Sequence, residues 1–147
     1  MNWLLLFVAL LAGFVFPFQA GINAQLRGWI GHPLLAALIS FSVGTLSLMI
    51  CPLLVGIHFP AWSAARQAPW WAWTGGLLGA FSVLVTIVLA PRLGATVFIA
   101  TVVTGQMIAS MILDHFGIVG FRLHPVTFWR VLGVVLLVSG VWLIRRN

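Results

Sequence analysis

The sequence predicts an all-α, polytopic membrane protein with five transmembrane helices. Asp114 is the only acidic side chain among 147 residues, and only 5% of the chain is charged. A water-soluble domain carries charge on about a quarter of its residues, which keeps its surface hydrated. Hydrophobic residues make up 63% of this chain. Most of its surface must therefore face hydrocarbon.

Five apolar stretches are long enough to cross a bilayer, which takes roughly 20 residues of helix. The short segments between them hold most of the arginines and histidines. We expect the whole chain, residues 1–147, to form a single transmembrane domain. The expected spans cover about residues 3–26, 33–55, 70–90, 94–116 and 128–144.

The first span combines a proline with two amides. Pro17 has no N–H to donate to the carbonyl of Gly13, so we expect a kink there. Gln19 and Asn23 follow four residues apart and therefore share one face of the helix. Polar side chains inside a membrane are costly and are usually paired or functional. These two amides either bond to a neighbouring helix or form part of a site for a polar solute.

The second and third spans carry small residues at helical spacing. Ser40 and Gly44 lie four apart in the second span, as do Gly75 and Gly79 in the third. Because lipid provides no hydrophobic drive for helix association, small residues promote it by letting backbones approach closely. These positions predict helix contacts, either within the chain or with a second chain.

The fourth span has a polar stripe. Gln106, Ser110 and Asp114 are spaced four and four along an otherwise apolar helix. Asp114 lies near the C-terminal end, where a carboxylate meets the negative end of the helix dipole and needs a partner. His115, Arg122 or another arginine could supply one. Asp114 either anchors the following loop or is a protonatable group coupled to transport.

The fifth span is apolar, with Gly133 and Gly140 on it and tryptophans near its ends. Trp129 and Trp142 fall where indole rings prefer to lie, at the level of the lipid head groups. The starts of the first and third predicted spans carry tryptophan in the same way, at Trp3, Trp70, Trp71 and Trp73.

Several classes of function are excluded. The chain has no glutamate to pair with Asp114 for acid–base chemistry, and we expect no catalytic site and no cofactor. The histidines lack metal-ligand spacing, so we expect no metal site. They are His32, His58, His115 and His124.

The net charge of +6 could suggest binding to nucleic acid, but such binding needs a clustered basic face. The arginines are scattered instead, which suits contacts with anionic lipid head groups.

The arginines are almost balanced across the membrane. With five spans, three lie on the side of the second and fourth loops and four on the opposite side, so the positive-inside rule gives no firm orientation. One interpretation is a weak preference for the C-terminus inside; the other is insertion in both orientations and pairing with an inverted copy of itself or of a close relative. The side of the second and fourth loops carries Arg66, Arg122 and Arg130, and the opposite side carries Arg27, Arg92, Arg145 and Arg146.

Short motifs occur in order along nearly the whole chain. They are QAGINAQLR at 19–27, SFSVGT at 40–45, WTGGLLG at 73–79, PRLGA at 91–95, and GQ at 105–106 followed by DHFG at 114–117. Together they resemble the YdcZ-like half-size family of the drug/metabolite transporter superfamily. The resemblance implies a bacterial cytoplasmic (inner) membrane protein of five helices, from a family whose members occur singly, as oppositely oriented pairs or as fused ten-helix proteins.

This chain differs in one respect from related transporters. The small multidrug relatives exchange protons through a glutamate in their first helix, and this chain has no glutamate. If protons are coupled to transport here, Asp114 is the only carboxylate available.

Our leading hypothesis is a transporter subunit that moves a small metabolite or drug-like solute by alternating access as an antiparallel dimer. Each five-helix chain would form one half of a ten-helix inverted repeat. Gln19, Asn23, Gln106 and Ser110 are the candidate substrate-binding residues. The alternative is a non-transporting assembly or regulatory subunit, in which these side chains only pack helices together.

Overall fold

A computed structural model describes residues 3–57 and 66–146. These residues form five α-helices and no strand, which confirms the predicted fold class. A short 3₁₀ helix, Trp70–Thr74, leads directly into the third α-helix. The α-helices are α1 Trp3–Ile30, α2 Pro33–Val55, α3 Gly75–Leu93, α4 Ala95–Phe116 and α5 Phe128–Arg145.

All five helices are long and apolar enough to cross a membrane, α3 together with the 3₁₀ turn before it. Their most apolar 18-residue windows have mean hydropathies from 1.7 to 2.2, and no more than 11% of the residues in any window are buried. A soluble bundle would bury one apolar stripe of each helix. Here the apolar side chains point outward almost everywhere, as expected for helices surrounded by lipid or by another chain.

The first helix is longer than the sequence predicts. It continues past Leu26 to Ile30 and is helical on both sides of Pro17, so Arg27 lies in its last turn rather than in a loop. His58 lies outside the described residues.

The helices belong to two compact units, Met1–Arg92 with α1 to α3 and Leu93–Asn147 with α4 and α5. The single transmembrane domain expected from the sequence stays a prediction.

In Met1–Arg92, α1 packs on α2, and α3 joins them through Ile87. Ile87 is fully buried against Ala36 and Ala37 of α2, with Leu26 and Val83 packed around them. The two alanines leave room for the bulkier isoleucine, which is how small residues bring membrane helices together.

In Leu93–Asn147, α4 packs on α5. Gly117 ends α4 in the left-handed conformation, with φ of 59°, and its N–H bonds to the Leu113 carbonyl. A Cβ at this position would lie 3.3 Å from the Cβ of Leu123. The positive φ favours glycine at this position, and a Cβ there would also crowd the returning loop.

Candidate functional site

A groove of about 190 Å³ lies in Met1–Arg92, among α1, α2 and α3. Its polar lining comprises the Gln19 amide of α1 and two hydroxyl side chains of α2, and the remainder is apolar. The residues that line it are Gln19, Ser40, Phe41, Gly44, Thr45, Leu48 and Val83.

The polar side chains of this groove have hydrogen-bonding groups without a partner. Two serines of α2 that do not line the groove, Ser42 and Ser47, show the contrast: each hydroxyl donates to a carbonyl of the preceding turn at 2.9 Å. Within the described part of the chain, Gln19, Ser40 and Thr45 make no side-chain hydrogen bond. A polar group in an apolar medium costs free energy when it is unpaired, so these three need a partner from elsewhere.

Asn23 continues the polar face of α1 one turn beyond Gln19. It is only 4% exposed, and its Nδ2 finds no hydrogen-bond partner among the residues described. Buried polar atoms in proteins are nearly always hydrogen-bonded, and an exception needs an explanation.

Arg27 follows Asn23 by one further turn and reaches α3. Its Nη1 donates to the backbone carbonyl of Ile87 at 3.3 Å. Pro91 lies four residues after Ile87 and has no N–H, so this carbonyl cannot accept the usual helical bond. The guanidinium occupies the position of the missing donor. Hydrogen bonds from charged donors are usually about 2.7–2.9 Å long, so this one is weak.

A second groove, of about 330 Å³, lies between α4 and α5 in Leu93–Asn147. Ser110 and Asp114 lie on its α4 side, and Arg130 lies on its α5 side. Its lining comprises Met107, Ser110, Met111, Asp114, Trp129, Arg130, Gly133 and Val134.

Asp114 and Arg130 tie the loop between these helices to both of them. The Asp114 Oδ2 lies 3.2 Å from the Arg130 Nη1, with the two side chains 29% and 38% exposed. The same Nη1 donates to the His124 carbonyl at 3.2 Å, and the His124 N–H donates to the Asp114 carbonyl at 2.7 Å. His115 accepts a further bond at its Nδ1 from the Val126 N–H, at 3.2 Å.

The charged partner of Asp114 is thus Arg130 in the first turn of α5, not Arg122. Gln106 does not line the groove, although the sequence places it on one stripe with Ser110 and Asp114. The Gln106 and Ser110 side chains are both exposed. Neither makes a hydrogen bond to another described residue.

The sequence pattern does not identify two lining residues of the first groove, Ser40 and Thr45, as candidate binding residues. It also places Arg27 in a loop, whereas the structure places it in the last turn of α1, bonded to α3. A signal for Arg27 was present: Gln19, Asn23 and Arg27 are spaced four and four, which continues the polar face.

Comparison with known proteins places the chain in one family. The family described as "Putative inner membrane exporter, YdcZ" matches residues 4–143. Inner membrane protein YdcZ of Escherichia coli (strain K12) is 39% identical over 78 residues, which cover 53% of this chain and 52% of that protein. The match therefore spans about half the length of this curated relative. No solved structure matches the chain.

The family match begins at the start of α1 and extends into α5, over the helices that carry both grooves. The resemblance expected from the sequence motifs is confirmed. The chain belongs to the YdcZ family of inner membrane exporters, so it is a multi-pass inner membrane protein of a transporter family rather than an enzyme.

Proposed function

We propose that the chain is a subunit of an exporter that moves a small metabolite or drug-like solute by alternating access, with the groove among α1, α2 and α3 as its solute site. The observation that carries this proposal is the set of unpaired polar groups there. Gln19, Ser40 and Thr45 line the groove, and the Nδ2 of Asn23 is buried one turn away without a partner.

Helix packing alone accounts poorly for these groups. Side chains that hold helices together bond to a neighbouring helix, and within the described chain these do not. The groove also combines hydroxyl and amide groups with apolar walls from Phe41, Leu48 and Val83. Sites for small molecules typically have this composition, with apolar walls and a few polar groups that fix orientation.

An inverted second copy would complete the transporter. At most 11% of the residues in any spanning window are buried, so large helix faces remain for a partner. The near balance of arginines across the membrane favours insertion in both orientations. Two inverted five-helix chains would enclose one solute cavity near the bilayer midplane, the arrangement of many transporters. A paired homologous subunit would serve equally.

Gln106 and Ser110 have a separate place in this proposal. Both lie on an exposed face of α4 and have no partner among the described residues. In the dimer they would bond to the solute or to a helix of the opposite subunit.

For Asp114 we favour the loop anchor over the proton-coupling group. Its carboxylate oxygen pairs with Arg130 and its backbone carbonyl accepts from His124. A group that exchanges protons during transport must leave its partner in each cycle, and this one would release the loop when it did so.

The proposal is tested by counterflow of radiolabelled solutes into proteoliposomes containing the purified chain. The panel covers amino acids, short carboxylates, amines and nucleosides. For a solute that moves, we expect Ser40→Ala, Thr45→Val and Asn23→Ala each to lower the apparent affinity about fivefold or more, since one hydrogen bond contributes about 1 kcal/mol.

Ser42→Ala is the matched control, because its hydroxyl is already bonded to the Leu38 carbonyl. It should transport like the wild type. If no solute moves, the transport proposal is refuted. If Ser42→Ala is as damaging as Ser40→Ala, the groove is refuted as the transport site. Gln106→Leu distinguishes a transporter from a non-transporting subunit. In a subunit that only packs helices, this variant should leave the stability unchanged or raise it. In a transporter it should abolish transport.

A further inference from the structure

We propose that the solute is a small organic anion, and that Asn23 and Arg27 bind its carboxylate. This inference rests on the proposed function and adds the chemical class of the substrate. It follows from the charges, the unpaired donors and the order of polar groups along α1.

The charge of Met1–Arg92 favours an anionic over a cationic solute. The only acidic side chain of the chain is Asp114, which lies in the other unit and is paired with Arg130. A cation in the groove among α1, α2 and α3 would therefore find no counter-ion in that unit. Placing an unpaired charge in an apolar medium is very costly. An anion would find Arg27.

Asn23 supplies a donor that nothing else uses. Its Nδ2 carries two N–H groups, is buried, and has no acceptor among the described residues. An oxyanion would satisfy this group.

Arg27 supplies the charge and further donors. A guanidinium has five N–H donors in a planar fork, and Arg27 uses one of them, on the Ile87 carbonyl at 3.3 Å. Because that bond is long for a charged donor, a carboxylate can compete for the same side chain. A guanidinium matches a carboxylate in geometry as well as in charge.

The order of the groups along α1 suggests how such a solute would lie. Gln19, Asn23 and Arg27 are four residues apart, so each step along the helix is about 6 Å. A carboxylate held by Asn23 and Arg27 would leave the rest of the molecule next to Gln19. There the groove offers two hydroxyls and the apolar side chains of Phe41 and Val83. The expected solute is thus a carboxylate with a partly apolar body.

Binding to the purified chain in detergent tests the inference without transport. The probes are two matched sets, 3-phenylpropionate with its amide and amine, and butyrate with its amide and amine. Affinity is measured from ligand-dependent thermal stabilisation. We expect at least one carboxylate to bind tenfold or more tightly than its amide and its amine.

Variants then assign that affinity to the two residues. Asn23→Asp is nearly isosteric and places a negative charge in the site, so it should lower carboxylate affinity at least tenfold. Arg27→Gln should do the same. Arg92→Gln is the matched control, since it removes an equal charge from an exposed side chain without a described partner. Arg27→Lys keeps a donor for the Ile87 carbonyl and serves if Arg27→Gln does not fold.

The outcomes separate this inference from the transport proposal. Carboxylate binding that depends on Asn23 and Arg27 supports the anion site even if no probe is transported. Export of an amine or a neutral solute that depends on Ser40 but not on Arg27 supports the transporter and overturns the anion site. The inference is equally overturned if no carboxylate binds better than its amide, or if neither Asn23→Asp nor the Arg27 variant weakens binding.

Discussion

Asp114 and Arg27 are charged side chains in an apolar chain, and each is stabilised by a different kind of partner. Asp114 pairs with the opposite charge of Arg130. Arg27 instead donates to a backbone carbonyl that a proline leaves without a donor. The ion pair neutralises the Asp114 charge, whereas the bond to the carbonyl leaves most of the Arg27 guanidinium donors available. At the scale of single residues this difference separates a structural ion pair from a candidate binding group.

The loop-anchor role of Asp114 predicts that Asp114→Asn lowers thermal stability but preserves transport. The amide can still accept a hydrogen bond from Arg130, so only the charge is lost. For a pair about a third exposed we expect a cost of no more than about 1 kcal/mol. The measurements are melting in detergent and counterflow in proteoliposomes.

The matched pair for this experiment is Arg130→Gln against Arg122→Gln. Arg130 contributes to the loop network, whereas the Arg122 side chain has no bond to the described residues. Only the Arg130 variant should destabilise the protein. Normal stability combined with abolished transport in Asp114→Asn would instead point to proton coupling.

Proline positions matter at the scale of the helix. Pro91 lies inside α3, and its missing N–H leaves the Ile87 carbonyl available at the contact between α3 and α1. In lipid, where water cannot satisfy backbone groups, freed carbonyls are re-satisfied by side chains or neighbouring helices. Arg27 does so here, which links the last turn of α1 to α3.

This link predicts coupling between Pro91 and Arg27. Pro91→Ala restores the helical donor to the Ile87 carbonyl, so the Arg27 bond becomes redundant. Arg27→Gln should therefore cost about 1 kcal/mol less in the Pro91→Ala background than in the wild type. A double-mutant cycle of unfolding free energies in detergent measures this difference.

Pro52→Ala provides the control cycle. Pro52 lies inside α2, and the carbonyl that it frees, on Leu48, receives no side-chain bond from the described residues. Its variant should not couple to Arg27→Gln. Equal coupling in both cycles, or none in either, would contradict the link.

Orientation is a property of the whole molecule. Three arginines on one side and four on the other give too small a bias to set a single topology. We predict that a reporter fused after Asn147 gives signal on both faces of the membrane, as dual insertion and an antiparallel dimer require. Substituting Arg145 and Arg146 with glutamine should shift the population towards the orientation with Arg66, Arg122 and Arg130 inside.

Arg27→Lys is the control for this shift, since it changes a residue without changing the charge. A reporter signal confined to one face in the unmodified protein would rule out dual insertion. Crosslinking of the chain to its partner in native membranes would identify whether that partner is a second copy or a homologous subunit, and in which relative orientation it lies.

Much of this architecture follows from composition. With one acidic residue and 63% hydrophobic residues, the chain cannot form a water-soluble surface. The five apolar stretches predict five spanning helices, which the structure contains. Helical spacing alone also places Gln19 and Asn23 on one face of α1. Each of these properties is local, since it depends only on transfer to lipid and on the helical repeat.

Pairing between distant residues was beyond reach of the sequence. Serine and threonine hydroxyls can bond to their own helix, as Ser42 does, or remain free, as Ser40 does, and the pattern of residues is the same for both. The partner of Asp114 was open among several candidates until the loop brought Arg130 to it. Arg27 has its hydrogen-bond partner only because α1 and α3 meet at Ile87. Chain composition and helical period thus determine what surrounds this protein, whereas tertiary packing alone decides which of its few polar groups are paired and which remain unpaired, because pairing depends on residues that are distant in sequence.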